Sequence, residues 1–211
     1  MRAYMEMYLE NSTRVLGNAY DYVVNTYKMD IDDFTKRFLV SDISKQFAKG
    51  NPKYIAGMNG FELVVDVLKL DDEIDSLPEY KEYLDKSPEY WCGYIAAYYQ
   101  WYSDETFTRI FKATPASQIL AMYDKYHEMD IMKSVERLNK NMKKCFPETR
   151  LAAIRKMLSI TQSELSEQSG VSIRQIQLFE QRQRDINSAK VGTIYSLSKV
   201  LGCRMEELIE R

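Results

Sequence analysis

Residues 161–181 read TQSELSEQSGVSIRQIQLFEQ. Thr161-Gln-Ser-Glu164 and Ser172-Ile-Arg-Gln175 both have the spacing of a capping box. There the first hydroxyl and the fourth side chain each satisfy a backbone N–H that the helix start leaves unpaired. Between them lies Ser169-Gly170, and glycine supplies the left-handed conformation that ends one helix and turns the chain into the next. Leu165, Val171, Ile176 and Phe179 fall on faces that meet in one small core. Upstream, Leu151, Ile154 and Leu158 form a helical stripe joined by Ile160. Downstream, Asn187 or Ser188 is positioned to cap a further helix carrying Val191, Ile194, Tyr195, Leu197, Ser198 and Leu201, ended by Gly202. Met205, Leu208 and Ile209 give a last turn, so the segment predicts five short helices around one core.

This segment, residues 150–210, resembles the DNA-binding domain of the Cro and phage-repressor-like (XRE-type) helix-turn-helix family. TQSEL, the SGVS turn, IQLFEQ and the closing LGCRMEELI carry the resemblance. It covers under a third of the chain and implies a five-helix, lambda-repressor-like fold. The resemblance also implies an ion pair between Arg155 of the first helix and Glu180 at the end of the recognition helix. Two positions depart from the family pattern. Ser166 stands where alanine is usual, and Ile173 stands where polar base-contacting residues are common.

With Ile176 and Phe179 turned inward, helical geometry leaves Ser172, Ile173, Arg174, Gln177 and Leu178 on the outer face. The resemblance places that face in the major groove. Arg174 is suited to guanine O6 and N7, Gln177 to adenine, and Ile173 to a thymine methyl. Gln162, Arg182, Arg184, Asn187, Ser188 and Lys190 are expected to reach phosphates. One such module makes few contacts, so a homodimer reading half-sites about 34 Å apart on a double-stranded operator is expected.

The whole chain of 211 residues has a formal net charge of −2, but the charge is unevenly spread. Residues 149–211 hold ten basic against seven acidic residues, which leaves nineteen against twenty-four for 1–148. The two parts therefore carry +3 and −5. Of 16 tyrosines, only Tyr195 lies in the last third. These shifts, with Pro147 in NKNMKKCFPET, predict two domains, 1–146 and 147–211. Phosphate attraction follows the local field, so a net-acidic protein is no obstacle to DNA binding. No apolar run reaches the ~20 residues of a membrane span, and MRAYMEMYLENS lacks a signal-peptide core. A cytoplasmic, nucleoid-associated protein is expected, with Cys92, Cys145 and Cys203 as reduced thiols.

The larger domain also reads as all-α. Ser87-Pro88-Glu89 and Thr114-Pro115 are helix starts, a cap followed by proline at the first helical position. FELVVDVLKL, residues 61–70, fits helix and strand periodicities about equally and is read as helix. DDFTKRFLVSDISKQFAKG brings Phe34, Phe38, Ile43 and Phe47 to a stop at Gly50-Asn51-Pro52. In residues 89–107, EYWCGYIAAYYQWYSDETF, aromatic and apolar residues cover nearly every helix face. One reading is a central helix buried all round. The other, which can hold together with the first on a different face, is a partner site anchored by Tyr90, Trp91, Tyr94, Tyr98, Trp101 and Tyr102. GNPKYIAGMNGFELV and EYWCGYIAAYYQWYS are similar to an accessory domain of small bacterial helix-turn-helix proteins, some of them antitoxins of toxin–antitoxin pairs. That resemblance implies a protein partner, a cognate toxin, and autoregulation of the operon. The alternative is a domain that senses a small molecule or only dimerises.

Nothing in the sequence signals an enzyme, a metal centre or a cofactor. His127 is the single histidine and has no nucleophile signature beside it. DDEID, residues 71–75, lacks the glycine and glutamate of a calcium loop, and no phosphate-cradling or dinucleotide glycine pattern occurs.

Overall fold

The structure, a computed structural model, describes residues 2–70, 74, 76–81 and 84–210. Apart from Ile74, the DDEID stretch lies outside the described residues. Among those described there is no strand, and the fold is all-α. The chain divides into two compact units, one ending at Cys145 and the other beginning at Phe146.

The first unit is built on α1 (Leu9–Asp21) and the aromatic helix α6 (Pro88–Ser103). Ser87 caps α6 by accepting from the Tyr90 N–H, with Pro88 in the first turn, as its sequence predicts. The two helices approach closely because glycines face each other. A Cβ on Gly93 would lie 2.4 Å from the Leu16 carbonyl oxygen, and one on Gly17 would strike the Tyr90 ring at 2.7 Å. α1 continues into a π-helical turn, Tyr22–Thr26.

Around this pair pack α2 (Ile31–Val40), α3 (Asp42–Ala48) and α5 (Gly60–Leu68), with the short α4 (Pro52–Ile55) between the last two. Asp30 caps α2 and accepts from the Asp32 and Asp33 N–H groups. Ser41, in an extended conformation, splits what reads as one phenylalanine-rich stretch into α2 and α3. Phe34, Phe38, Phe47, Phe107 and Phe111 join in stacked and edge-on contacts 5.1–6.5 Å apart. Each such pair adds about 0.5–1.5 kcal/mol beyond area burial. The ambiguous segment 61–70 is helical as far as Leu68, fixed at its start by a full Asn59–Glu62 capping box and ended by Lys69 in the left-handed conformation.

The remaining helices of this unit are α7 (Phe107–Ala113), α8 (Ala116–Leu120), α9 (Tyr123–Tyr126) and α10 (Ile131–Cys145). The Thr114-Pro115 expectation is corrected by one position. Pro115 precedes α8 in an extended conformation, and Thr114 is buried, its hydroxyl accepting from Asn141 Nδ2 at 3.0 Å. His127 is an exposed residue whose ring stacks 4.2 Å from Tyr123 and whose Nδ1 lies 2.8 Å from the Tyr123 carbonyl oxygen. All three cysteines are free, and burial pushes the Cys92 thiol well up.

The second unit holds α11 (Arg150–Met157), α12 (Gln162–Ser169), α13 (Ile173–Glu180), a 3-10 turn at Ile186–Ser188, α14 (Val191–Leu201) and α15 (Met205–Leu208). Leu151, Leu165, Val171, Ile176, Phe179, Leu197, Leu201 and Leu208 form its core. Three expected core positions are corrected. Leu158 follows the end of α11, where Ser159 at φ +57° swings the chain away, and it is 43% exposed. Val191 and Tyr195 lie one turn apart on the outer face of α14, while Ile194, Leu197 and Leu201 face inward. The cap of α14 is corrected too. Asp185 caps the 3-10 turn, and α14 starts after Lys190 with no side-chain cap.

Candidate nucleic-acid interface

α12 and α13 are set by local chemistry. Thr161 accepts from the Glu164 N–H at 3.1 Å and Glu164 accepts from the Thr161 N–H at 2.7 Å, a complete capping box. Gly170 closes α12 at φ +69°, with open space around it, so conformation alone selects glycine there. Ser169 steadies the turn: its hydroxyl donates to the Leu165 carbonyl and accepts from the Val171 N–H. At the second start Ser172 accepts from the Gln175 N–H at 3.4 Å, without the return bond from Gln175.

The orientation of α13 is then fixed from beneath. Ile176 and Phe179 are buried in the core. Arg155 grips Glu180 with one edge of its guanidinium, Nε to Oε1 at 2.7 Å and Nη2 to Oε2 at 2.9 Å, and donates a third bond, from Nη1, to the Ile160 carbonyl. Gln162 adds a bond to Glu180 Oε2 at 2.7 Å. Burial alone would push the Glu180 carboxyl up. The bonds from Arg155 and Gln162, with the Arg155 charge, outweigh it and hold the carboxyl below its ordinary value. The one carboxylate of α13 is thereby neutralised on its inner side.

The residues expected to contact bases lie as follows. Ser172, Ile173 and Arg174 are exposed, and Gln177 and Leu178 are half-buried beside them. Arg174 has no ion-pair or hydrogen-bond partner among the described residues. An arginine left unpaired on a helix locked at its other end presents five donors in a rigid fork to whatever lies outside.

The expected phosphate contacts divide. Arg184 is exposed, its guanidinium 5.9 Å from the Phe179 ring centre, and Ser188 and Lys190 are exposed as well. Arg182 is exposed and also has partners within the unit. Its guanidinium donates to the carbonyls of Pro147 and Glu148, and it pairs with Glu210 at 3.5 Å. Asn187 is likewise exposed and engaged within the unit. Its side chain donates to the Glu210 carbonyl at 2.6 Å and accepts from the Glu210 N–H at 3.0 Å, standing in for a backbone partner. The Gln162 side chain serves Glu180, which leaves the residue only its place in the first turn of α12, where backbone N–H groups lack helical partners. The sequence reading missed Glu210, whose carboxylate also accepts from the Arg150 N–H at 2.5 Å and whose backbone holds Asn187.

Two short helices joined at a left-handed glycine, with the second exposing an unpaired arginine, match a known pattern over nearly the whole unit. Residues 151–208 fit the family model described as helix-turn-helix. The second unit is a helix-turn-helix domain. Such domains belong to DNA-binding transcription regulators, and α13 takes the place of the recognition helix. No curated protein and no solved structure matches the chain.

The six aromatic residues expected as partner anchors fall into two groups. Trp101 is buried, with its indole N–H donated to the Tyr4 carbonyl at 2.9 Å. Tyr90, Trp91, Tyr94, Tyr98 and Tyr102 are half-buried, and Arg2 lies 3.9 Å over the Tyr102 ring. α6 thus has one buried side and, at 90, 91, 94, 98 and 102, one half-buried aromatic side. Among the described residues no group of metal-ligating side chains is found, and no helix is long and apolar enough to cross a membrane.

Proposed function

We propose that the protein is a sequence-specific repressor that binds duplex DNA as a homodimer through the outer face of α13. The observation that supports this most is the unpaired Arg174 beside Ser172, Ile173, Gln177 and Leu178, on a helix anchored by the Arg155–Glu180 pair. Ser172, Arg174 and Gln177 read base edges by hydrogen bonds, while Ile173 and Leu178 supply apolar contacts. Arg184, Ser188 and Lys190, with the first turn of α12 at Gln162, hold phosphates. Selection from random-sequence duplexes tests this. A two-fold symmetric motif with half-sites about 34 Å apart is the expected product. Enrichment of no motif, or of a single half-site, would remove sequence reading or dimerisation respectively.

In this proposal the first unit binds a second protein, a cognate toxin, and the complex autoregulates its operon. The acidity of residues 1–148 and the antitoxin-like stretches support that reading. Tyr90, Trp91, Tyr94, Tyr98 and Tyr102, on the half-buried side of α6, are the candidate anchors for that partner. Co-expression with the product of the neighbouring gene is expected to yield a stable complex, and separate elution of the two proteins would refute the toxin role. The small-molecule alternative rests on a surface pocket of about 400 Å³ lined by Arg14, Asn18, Asn59 and Glu62. It is a polar pocket formed from other residues than the tyrosines of α6.

A further inference from the structure

The first unit is not acidic throughout. Residues 1–130 carry fourteen basic against twenty-two acidic residues, a charge of −8. α10, residues 131–145, carries five basic residues and one acidic, or +4. The whole basic excess of the unit lies on one helix, the last before the helix-turn-helix domain.

The side chains of α10 are sorted by face. Ser134, Val135, Leu138 and Met142 are buried. Lys133, Arg137, Lys140, Lys143 and Lys144 are exposed. Positions 133, 137, 140 and 144 recur at helical spacing and form a stripe about 16 Å long at 1.5 Å per residue. Lys133 is paired with Glu136 at 3.2 Å. Arg137, Lys140, Lys143 and Lys144 have no ion-pair partner among the described residues. Cations in a last turn are favoured by the helix dipole. That accounts for Lys143 and Lys144, but not for Arg137 and Lys140 in the middle of the helix.

We propose that this exposed basic face of α10 binds the phosphate backbone of duplex DNA beside the site read by the helix-turn-helix domain. The inference rests on DNA binding by that domain. Residues 146–149 separate α10 from α11, so the chain spans at most about 17 Å from the last residue of α10 to the first of α11. A duplex held by one unit is thus presented to the other at high effective concentration. A row of unpaired cations complements a phosphate backbone, whereas residues 1–130 together carry −8.

The test uses the full chain and a mixed-sequence duplex of about 40 base pairs, long enough to extend past the helix-turn-helix footprint at 3.4 Å per base pair. Affinity is measured against salt for the wild type and for Arg137→Gln/Lys140→Gln/Lys143→Gln/Lys144→Gln. Each phosphate contact contributes about 0.9 to the slope of log affinity against log salt, so four contacts flatten it by about three to four units. On doubling the salt, the wild type then loses about tenfold more affinity than the variant. A flattening of two units or more supports the inference, and less than two overturns it. A loss seen on single-stranded RNA or anionic vesicles but not on the duplex also overturns it and assigns the stripe to that polymer or surface. If the wild type binds no duplex at all, the DNA reading of the helix-turn-helix domain fails first. The substituted residues are exposed. If circular dichroism nevertheless shows the fourfold variant unfolded, the pairs Arg137→Gln/Lys140→Gln and Lys143→Gln/Lys144→Gln are read separately, each against a threshold of one unit.

Discussion

Arg174 and Arg182 carry the same guanidinium in different surroundings. Arg174 projects from the first turn of α13 without an internal partner, so Arg174→Ala is expected to cost about 1–3 kcal/mol on the selected operator and to relax specificity at one base pair. Equal losses on operator and random DNA would make it a phosphate contact. Arg182 is occupied by Pro147, Glu148 and Glu210. Arg182→Ala is therefore expected to lower the unfolding free energy of the second unit by about 1 kcal/mol and to leave the salt slope unchanged. Arg184→Ala should do the reverse, flattening the slope by about 0.9 with stability intact. Titration of both variants with one duplex at three salt concentrations, alongside urea denaturation, separates the two roles. The internal partners of Arg182 and Asn187 were not legible in the sequence for a physical reason. Their partners lie 23 to 35 residues away, and an arginine after a recognition helix looks the same whether it serves DNA or its own backbone. Arg155 and Glu180 are as distant in sequence, and only the family resemblance made that pair legible.

Between elements, the strongest link is the Arg155–Glu180 clamp joining α11 to α13. Side-chain exposures of 11% and 7% put it among pairs whose breaking is costly, so Arg155→Ala is expected to destabilise the unit by about 3 kcal/mol. The clamp also gives a pH dependence. The Glu180 carboxyl is held below its ordinary value of 4.5, so its contribution is fully present above that pH and is lost as pH falls through the lower folded value. Denaturation of wild type and Glu180→Gln from pH 7 down to pH 3 should show the two curves converging in acid; a constant gap would deny the carboxylate its role. Glycines supply a second contrast. Gly93→Ala forces a methyl to within 2.4 Å of a backbone oxygen of α1 and should cost about 3 kcal/mol. Gly192→Ala, in the exposed first turn of α14 with nothing within 4 Å, should instead stabilise by about 0.5 kcal/mol. The helix starts were legible because a cap is a four-residue event, as at Thr161 and Ser87. The Ser41 break and the start of α14 were not, since packing decides them.

For the whole molecule, the sequence revealed helical content and the DNA-binding region, because both rest on periodicity and short motifs. It concealed the surface of the first unit. Averaging charge over residues 1–148 buried the +4 of α10 under the −8 before it, and a helix rich in tyrosine looks alike whether it is a core or an interface. What sorts these cases is the tertiary arrangement around α1. Gly93 lets α6 rest on its backbone at Leu16 and Gly17, and Gly60 brings α5 against Asn18 and Ala19. Along Val15–Tyr20 every residue is buried. Solvent reaches those amides only when the helices part, and the free energy of that opening approaches that of global unfolding. In heavy water, the amide hydrogens of Val15–Tyr20 should therefore be among the last in the unit to be replaced by deuterium, long after those of the exposed turns have gone.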